Sequence, residues 1–123
     1  QHTKAKEWLE EQMSSPDRFG FGWQVITAFL RISTNPRAFP QPFDLHEAVE
    51  IVDEWLALPN VEILLPTSNH WKIFQSLIVE GQTSAAMMMD AHLAALAIEH
   101  GATLVTTDSD FQKFSKLKII NPL

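Results

Sequence analysis

Cysteine is absent from the 123 residues. No disulfide and no thiolate metal site can form, and the composition suits a reducing interior. Long apolar runs are missing as well: none approaches the roughly 20 residues that span a bilayer, so a membrane role has no support. Cations are scarce. Nine Lys plus Arg stand against fifteen Asp plus Glu, a formal charge of −6, which opposes non-specific adhesion to a phosphate backbone. That counts against a nucleic-acid coat protein. It leaves room for an enzyme acting on RNA, because metal ions at a carboxylate cluster reverse the local sign. There is no Gly-rich phosphate cradle, no internal repeat and no low-complexity tract. The opening QHTKAKEWLEEQ is polar and helix-forming, so no signal peptide is expected and a cytoplasmic location is. The chain does not open on Met, and we expect its numbering to begin inside a longer protein.

What is present is 46% hydrophobic and 20% charged, the balance of a globular protein. At this length residues 1–123 are most simply one domain with a single core. Ala5, Trp8, Leu9 and Met13 fall at helical spacing, and Ser14–Asp17 (SSPD) stops that helix. Phe19–Trp23 (FGFGW) reads as a short extended piece or turn. A largely apolar helix is predicted over Gln24–Ile32, ending before the TNPR turn at Thr34–Arg37. FPQP at Phe39–Pro42 is a loop. Asp44 followed by Glu47 has capping-box spacing and opens a helix to about Ala57.

In the second half, Val61–Leu65 (VEILL) reads as a buried strand. Thr67 or Ser68 is expected to cap a helix whose apolar stripe is Trp71, Phe74, Leu77 and Ile78, ending at Gly81. After a small-residue loop at Gln82–Ala85, a helix is expected over Asp90–His100, closed by a left-handed Gly101. Ala102–Thr106 is a strand, Phe111–Leu117 a turn with 3₁₀ character, and Lys118–Ile120 a last strand. Alternating strands and helices predict an α/β fold with a mostly parallel sheet. The first helix has no strand before it, and an opening strand is expected upstream of the numbering.

Chemistry gathers at MMMDAHLAALAIEHGATLVTTDSDF, Met87–Phe111. In open α/β sheets functional groups collect where strand carboxyl ends meet helix amino ends. Asp108 and Asp110 directly follow the Ala102–Thr106 strand, and Asp90 opens the preceding helix. If the segment is extended, Asp108 and Asp110 point the same way. Three hard oxygen donors without Cys and without a His cluster suit Mg²⁺ or Mn²⁺ rather than structural zinc. The simpler alternatives are an N-cap for Asp90 and an Asx turn for Asp108, and DxD alone is a weak motif.

DAHLAALAIEHGATLVTTDSDF closely resembles the carboxyl-terminal signature of PIN-domain ribonucleases, specifically the VapC-type toxins of bacterial toxin–antitoxin modules. QHTKAKEWLEEQ resembles the family's first helix, FLRISTNPRAF the arm after its second and KLKIINPL its closing strand, so the likeness covers essentially the whole chain. It implies a PIN-like three-layer α/β/α sandwich around a parallel sheet, Mg²⁺- or Mn²⁺-dependent endonucleolytic cleavage of RNA, an antitoxin protein as partner, and a homodimer. By position it implies Asp90 and Asp108 as catalytic metal ligands and Asp110 as an auxiliary acid. Thr106 and Thr107 match small hydroxyl residues that orient the acid or a water. Two features depart from the family. The stretch like DxN or DTN that carries its first acid is not present in this numbering, and Ala28 stands where its second acid, a Glu, is expected.

Other residues invite plainer readings. His92 lies about 200° around a helix from Asp90 and is expected to be solvent-facing or core-bonded. His70 reads as a cap neighbour, and His100 as a complement to its helix's carboxyl end. Arg31 and Arg37 are the candidate RNA phosphate contacts, because guanidinium binds phosphate bidentately; pairing with local carboxylates competes. Trp8, Trp55 and Trp71 fall on apolar stripes and are expected in the core. Rival functions are a non-catalytic PIN-like interaction module and, ranked lower, a DxD-type transferase.

Overall fold

The computed structural model describes residues 7, 10, 11, 18–106 and 108–121. Glu7, Glu10 and Glu11 are helical. Ala5, Trp8, Leu9, Met13, the SSPD stop at Ser14–Asp17 and Thr107 lie outside the described residues. The chain divides into two compact units, residues 9–64 on the one hand and residues 65–123 with residues 1–8 on the other.

In the first unit β1 (Phe19–Phe21) leads into α1 (Trp23–Ser33), α2 (Leu45–Ala57) and β2 (Val61–Ile63). β1 and β2 pair in parallel, Phe19 opposite Val61 and Phe21 opposite Ile63. The ladder is extended by Phe19 N–H to Asn60 O at 2.8 Å and Leu64 N–H to Phe21 O at 2.8 Å. Gly20 is needed here: a Cβ at that position would lie 2.6 Å from the Leu64 side chain. The Asp44 capping box forms as its spacing predicts. Glu47 N–H donates to Asp44 Oδ1 at 2.8 Å, and Asp44 N–H donates to Glu47 Oε1 at 3.2 Å. Pro59 follows the end of α2, where the preceding residue is driven to extended backbone. Phe21, Ile26 and Val52 form the buried centre of this unit. Trp55 stacks on Phe21 at 5.3 Å and tilts against Phe29 at 4.6 Å, so this tryptophan is core as expected.

The second unit holds α3 (His70–Glu80), a 3₁₀ turn at Ala85–Met87, α4 (Met88–Glu99), β3 (Thr103–Val105), a second 3₁₀ turn at Ser109–Lys113, and β4 (Lys118–Ile120). β3 and β4 are parallel, with Thr103 opposite Lys118 and Val105 opposite Ile120. The expected α/β class with parallel pairing is thus present in both strand pairs. α4 carries its burial on small residues: Ala91, Ala94 and Ala95 are wholly inaccessible. With Leu77 of α3 and with Phe111, Phe114 and Leu117 they make one core cluster. Alanine at these positions lets backbones approach closely at little cost in side-chain entropy.

α4 ends in a Schellman motif. Gly101 has φ +63°, its N–H donates to Ile98 O at 3.0 Å, and Ala102 N–H reaches Ala97 O at 2.8 Å. Three expectations are corrected here. α3 takes Asn69 as its N-cap rather than Thr67 or Ser68, because Thr67 is occupied in a turn, its Oγ1 accepting Asn69 N–H at 3.2 Å. Trp71 is 64% exposed, since α3 turns Leu77, Ile73 and Phe74 toward the core instead. α4 starts two residues earlier than Asp90, at Met88, because the preceding 3₁₀ turn feeds directly into it. No helix of the described residues is long and apolar enough to cross a membrane.

Candidate active site in the second unit

α4 places Asp90 on its first turn, where the helix dipole favours an anion by ~0.3–1 kcal/mol. β3 delivers the chain to Thr106, and Asp108 follows as the N-cap of the Ser109–Lys113 turn. Asp108 N–H donates to Thr106 Oγ1 at 3.1 Å, and Asp110 N–H donates to Asp108 Oδ1 at 2.9 Å. The turn corrects the premise of an extended segment: Asp110 sits within a 3₁₀ helix, and the Asp108 carboxylate performs the capping role that spacing also allowed. Only one of its oxygens is used in that cap.

Asp90 senses the other two acids. Burial, then the charges of Asp108 and Asp110, push the Asp90 carboxyl above the usual aspartate value, and Lys113 works against them. Lys113 ends the turn that Asp108 begins, and its Nζ lies 3.4 Å from Met87 Sδ at the start of α4 and 5.5 Å from the Phe114 ring centre. No hydrogen-bond donor among the described residues holds the Asp90 carboxylate. A carboxyl whose proton affinity is raised by burial and by two other acids is a candidate for a site that holds cations or handles protons. Hard carboxylate oxygens suit Mg²⁺ or Mn²⁺, yet among the described residues no group of three His, Cys, Asp or Glu side chains is gathered closely enough to enclose an ion.

Residues 1–117 match the PIN domain family model. The chain belongs to the PIN-domain family. It is 38% identical to ribonuclease VapC37 of Mycobacterium tuberculosis over 98% of this chain and 84% of that protein. It is 33% identical to ribonuclease VapC33 of the same species over the whole chain and 86% of that one. The crystal structure of VapBC2 from Rickettsia felis bound to a DNA fragment from its promoter superimposes with a TM-score of 0.64. It covers 90% of this chain and 80% of that one at 17% identity, a likeness of fold alone. The PIN-like α/β architecture implied by DAHLAALA and TTDSDF is therefore the fold of this chain.

Within this PIN domain the predicted residues separate. Asp90, Asp108, Asp110 and Thr106 all belong to the second unit, where Asp90 feels the charges of Asp108 and Asp110, and Thr107 lies outside the described residues. Arg31 and Arg37 belong to the first unit, at the end of α1 and in the following turn, both exposed. Neither has an ion pair among the described residues. Arg37 N–H closes an Asx turn with Asn35 Oδ1 at 2.9 Å. Sequence reasoning missed Lys113, whose only signal was its distance of five residues from Asp108. It also missed a buried polar chain in the same unit. Glu99 Oε2 lies 2.6 Å from His70 Nδ1, and His70 Nε2 lies 2.8 Å from His92 Nδ1. His92 is thus bonded within the fold, as one of its two expected readings had it. His100, at the carboxyl end of α4, donates Nε2–H to Leu65 O at 2.7 Å.

Proposed function

We propose that this PIN domain is a metal-dependent endoribonuclease, the toxin of a toxin–antitoxin pair. The observation that carries the reading is the setting of Asp90, whose proton affinity is raised by burial and then by the charges of Asp108 and Asp110, in a chain whose relatives are named ribonuclease VapC. Asp90 and Asp108 would hold Mg²⁺ or Mn²⁺, and Asp110 would add negative charge beside them. Mg²⁺ commonly binds through one or two carboxylates together with water and substrate phosphate, which reconciles this donor set with the lack of a closed three-ligand cage among the described residues. Once bound, such an ion stabilises charge on a phosphoryl group and lowers the pKa of water. Thr106 anchors the backbone of Asp108 and so positions its free carboxylate oxygen. Arg31 and Arg37 would meet RNA phosphates, an antitoxin protein would be the regulatory partner, and two copies would pair as a homodimer in the cytoplasm.

A second reading has an observation of its own. Ala28 stands where a family Glu is expected, and no three-ligand cluster exists among the described residues, which favours a PIN-like module that binds partners without cutting. Cleavage of a labelled single-stranded RNA by full-length protein in Mg²⁺ or Mn²⁺, against the same reaction in chelator, separates the two. Cleavage that appears only with the ion supports the nuclease. Intact RNA under every condition rejects it.

A further inference from the structure

The second unit has a cavity of about 60 Å³ lined by Lys113, Ser115 and Lys116 together with Leu77, Glu80 and Gly81. Neither lysine has a carboxylate within ion-pair distance among the described residues, although the whole chain carries a formal charge of −6. Both lysines are exposed residues that line the cavity. Lys113 is held in place by weak partners alone, the Met87 sulfur at 3.4 Å and the Phe114 ring at 5.5 Å, neither of which satisfies an ammonium as an anionic oxygen does.

The position matters as much as the charge. Asp108 caps one end of the Ser109–Lys113 turn and Lys113 closes the other, and five residues of 3₁₀ helix span about 10 Å. Lys113 also touches Met87, the residue that leads into the helix bearing Asp90. We propose that Lys113 and Lys116, with the Ser115 hydroxyl, form a phosphate subsite for the RNA strand next to the Asp90 and Asp108 carboxylates. The proposal rests on the nuclease reading of those carboxylates. A strand lying along the turn would place one phosphate at the acidic end and another at the lysines, and lysine meets phosphate as a compact point charge. Glu80 also lines the cavity and opposes this. Its carboxylate accepts Ser76 Oγ–H at 3.1 Å.

Binding, read separately from cleavage, tests the subsite. Fluorescence anisotropy of a labelled single-stranded RNA with full-length protein in an Asp90→Asn background, in Mg²⁺, gives affinity as a function of salt. The further double change Lys113→Gln and Lys116→Gln should weaken binding about tenfold at low salt. It should also flatten the slope of log affinity against log salt by about 1.4, two phosphate contacts on a single strand. Glu80→Gln should tighten binding, an effect that no folding defect produces. Unchanged affinity and slope in the double variant would overturn the subsite, and so would weaker binding by Glu80→Gln. An acidic protein segment as the true occupant would give that unchanged result. Lysine-dependent binding by a protein that cuts nothing sinks the nuclease reading and keeps the subsite; RNA cleavage with binding indifferent to both lysines does the reverse.

Discussion

His70 Nδ1 lies 2.6 Å from Oε2 of Glu99, whose side chain is only 1% exposed. The other Glu99 oxygen accepts Thr67 N–H at 2.7 Å, so one buried carboxylate near the end of α4 fastens the entrance to α3. With His70 Nδ1–H donating to Glu99, its Nε2 is left to accept from Nδ1–H of His92. Both His70 ring nitrogens and His92 Nδ1 then have partners. Glu99→Ala leaves a histidine and a backbone N–H without their acceptor, and should cost about 3 kcal/mol. Thermal unfolding should show a fall of about 10 °C in Tm; a fall of a degree or less would mean that the network holds nothing together.

Burial first, then the neighbouring His70, hold the His92 imidazole below the ordinary histidine value, with Glu99 pulling the other way. A depressed histidine gives stability that is complete above its unfolded value of about 6.5 and is lost as pH falls below it, because the unfolded chain then binds the proton more readily. Urea midpoints should therefore decline on acidification through the range just below pH ~6.5. In His92→Gln that decline should be shallower. An identical decline in parent and variant would assign it to other groups.

For Asp90 the sign is the opposite. Its proton affinity is raised by burial and by Asp108 and Asp110, so the stability it lends when protonated disappears as pH rises through its folded-state value. At neutral pH the ionised carboxylate is a liability, and Asp90→Asn should melt about 2 °C higher in chelator. The gap should close on acidification. A variant that melts lower at neutral pH would show that the repulsion is outweighed by contacts of the carboxylate. Stability gained on removing a functional group is the usual sign of a site kept for function.

Much of the fold was legible because its punctuation is local. Asp44 with Glu47 fixed the start of α2 and Gly101 the end of α4, each through a hydrogen-bonding pattern confined to a few residues, while Lys118–Ile120 was readable from its apolar run. What failed depended on neighbours far along the chain. Trp71 looked like core on a helical stripe, yet the alanine face of α4 takes up Leu77 and Phe74 and leaves the indole outside. The acids were legible as a group, and their conformation was not: whether Asp108 and Asp110 lie extended or wound in a turn is decided by the 3₁₀ helix that carries Phe111 into the core. Lys113 and the Glu99–His70–His92 chain were invisible for the same reason, since each joins residues 22 to 29 positions apart in sequence.

Gly101 offers a contained test of the helix end. A Cβ there meets nothing within 4 Å, so Gly101→Ala should cost only the strain of a left-handed backbone, about 1 kcal/mol. Asp44→Ala should also destabilise the fold, through the lost capping box. The two sites share no partners, so the double variant should show the sum in chemical denaturation; a clearly non-additive result would mean that the caps communicate.

The central claim is that Asp90 and Asp108 act together on an RNA phosphodiester. It is tested most directly by single-turnover cleavage of a labelled RNA in saturating Mg²⁺, comparing parent with Asp90→Asn, Asp108→Asn and the pair combined. The account predicts a loss of at least about a hundredfold in each single variant and little further loss in the double, as expected for groups that work as a unit. Parent-like cleavage by either single variant would contradict it.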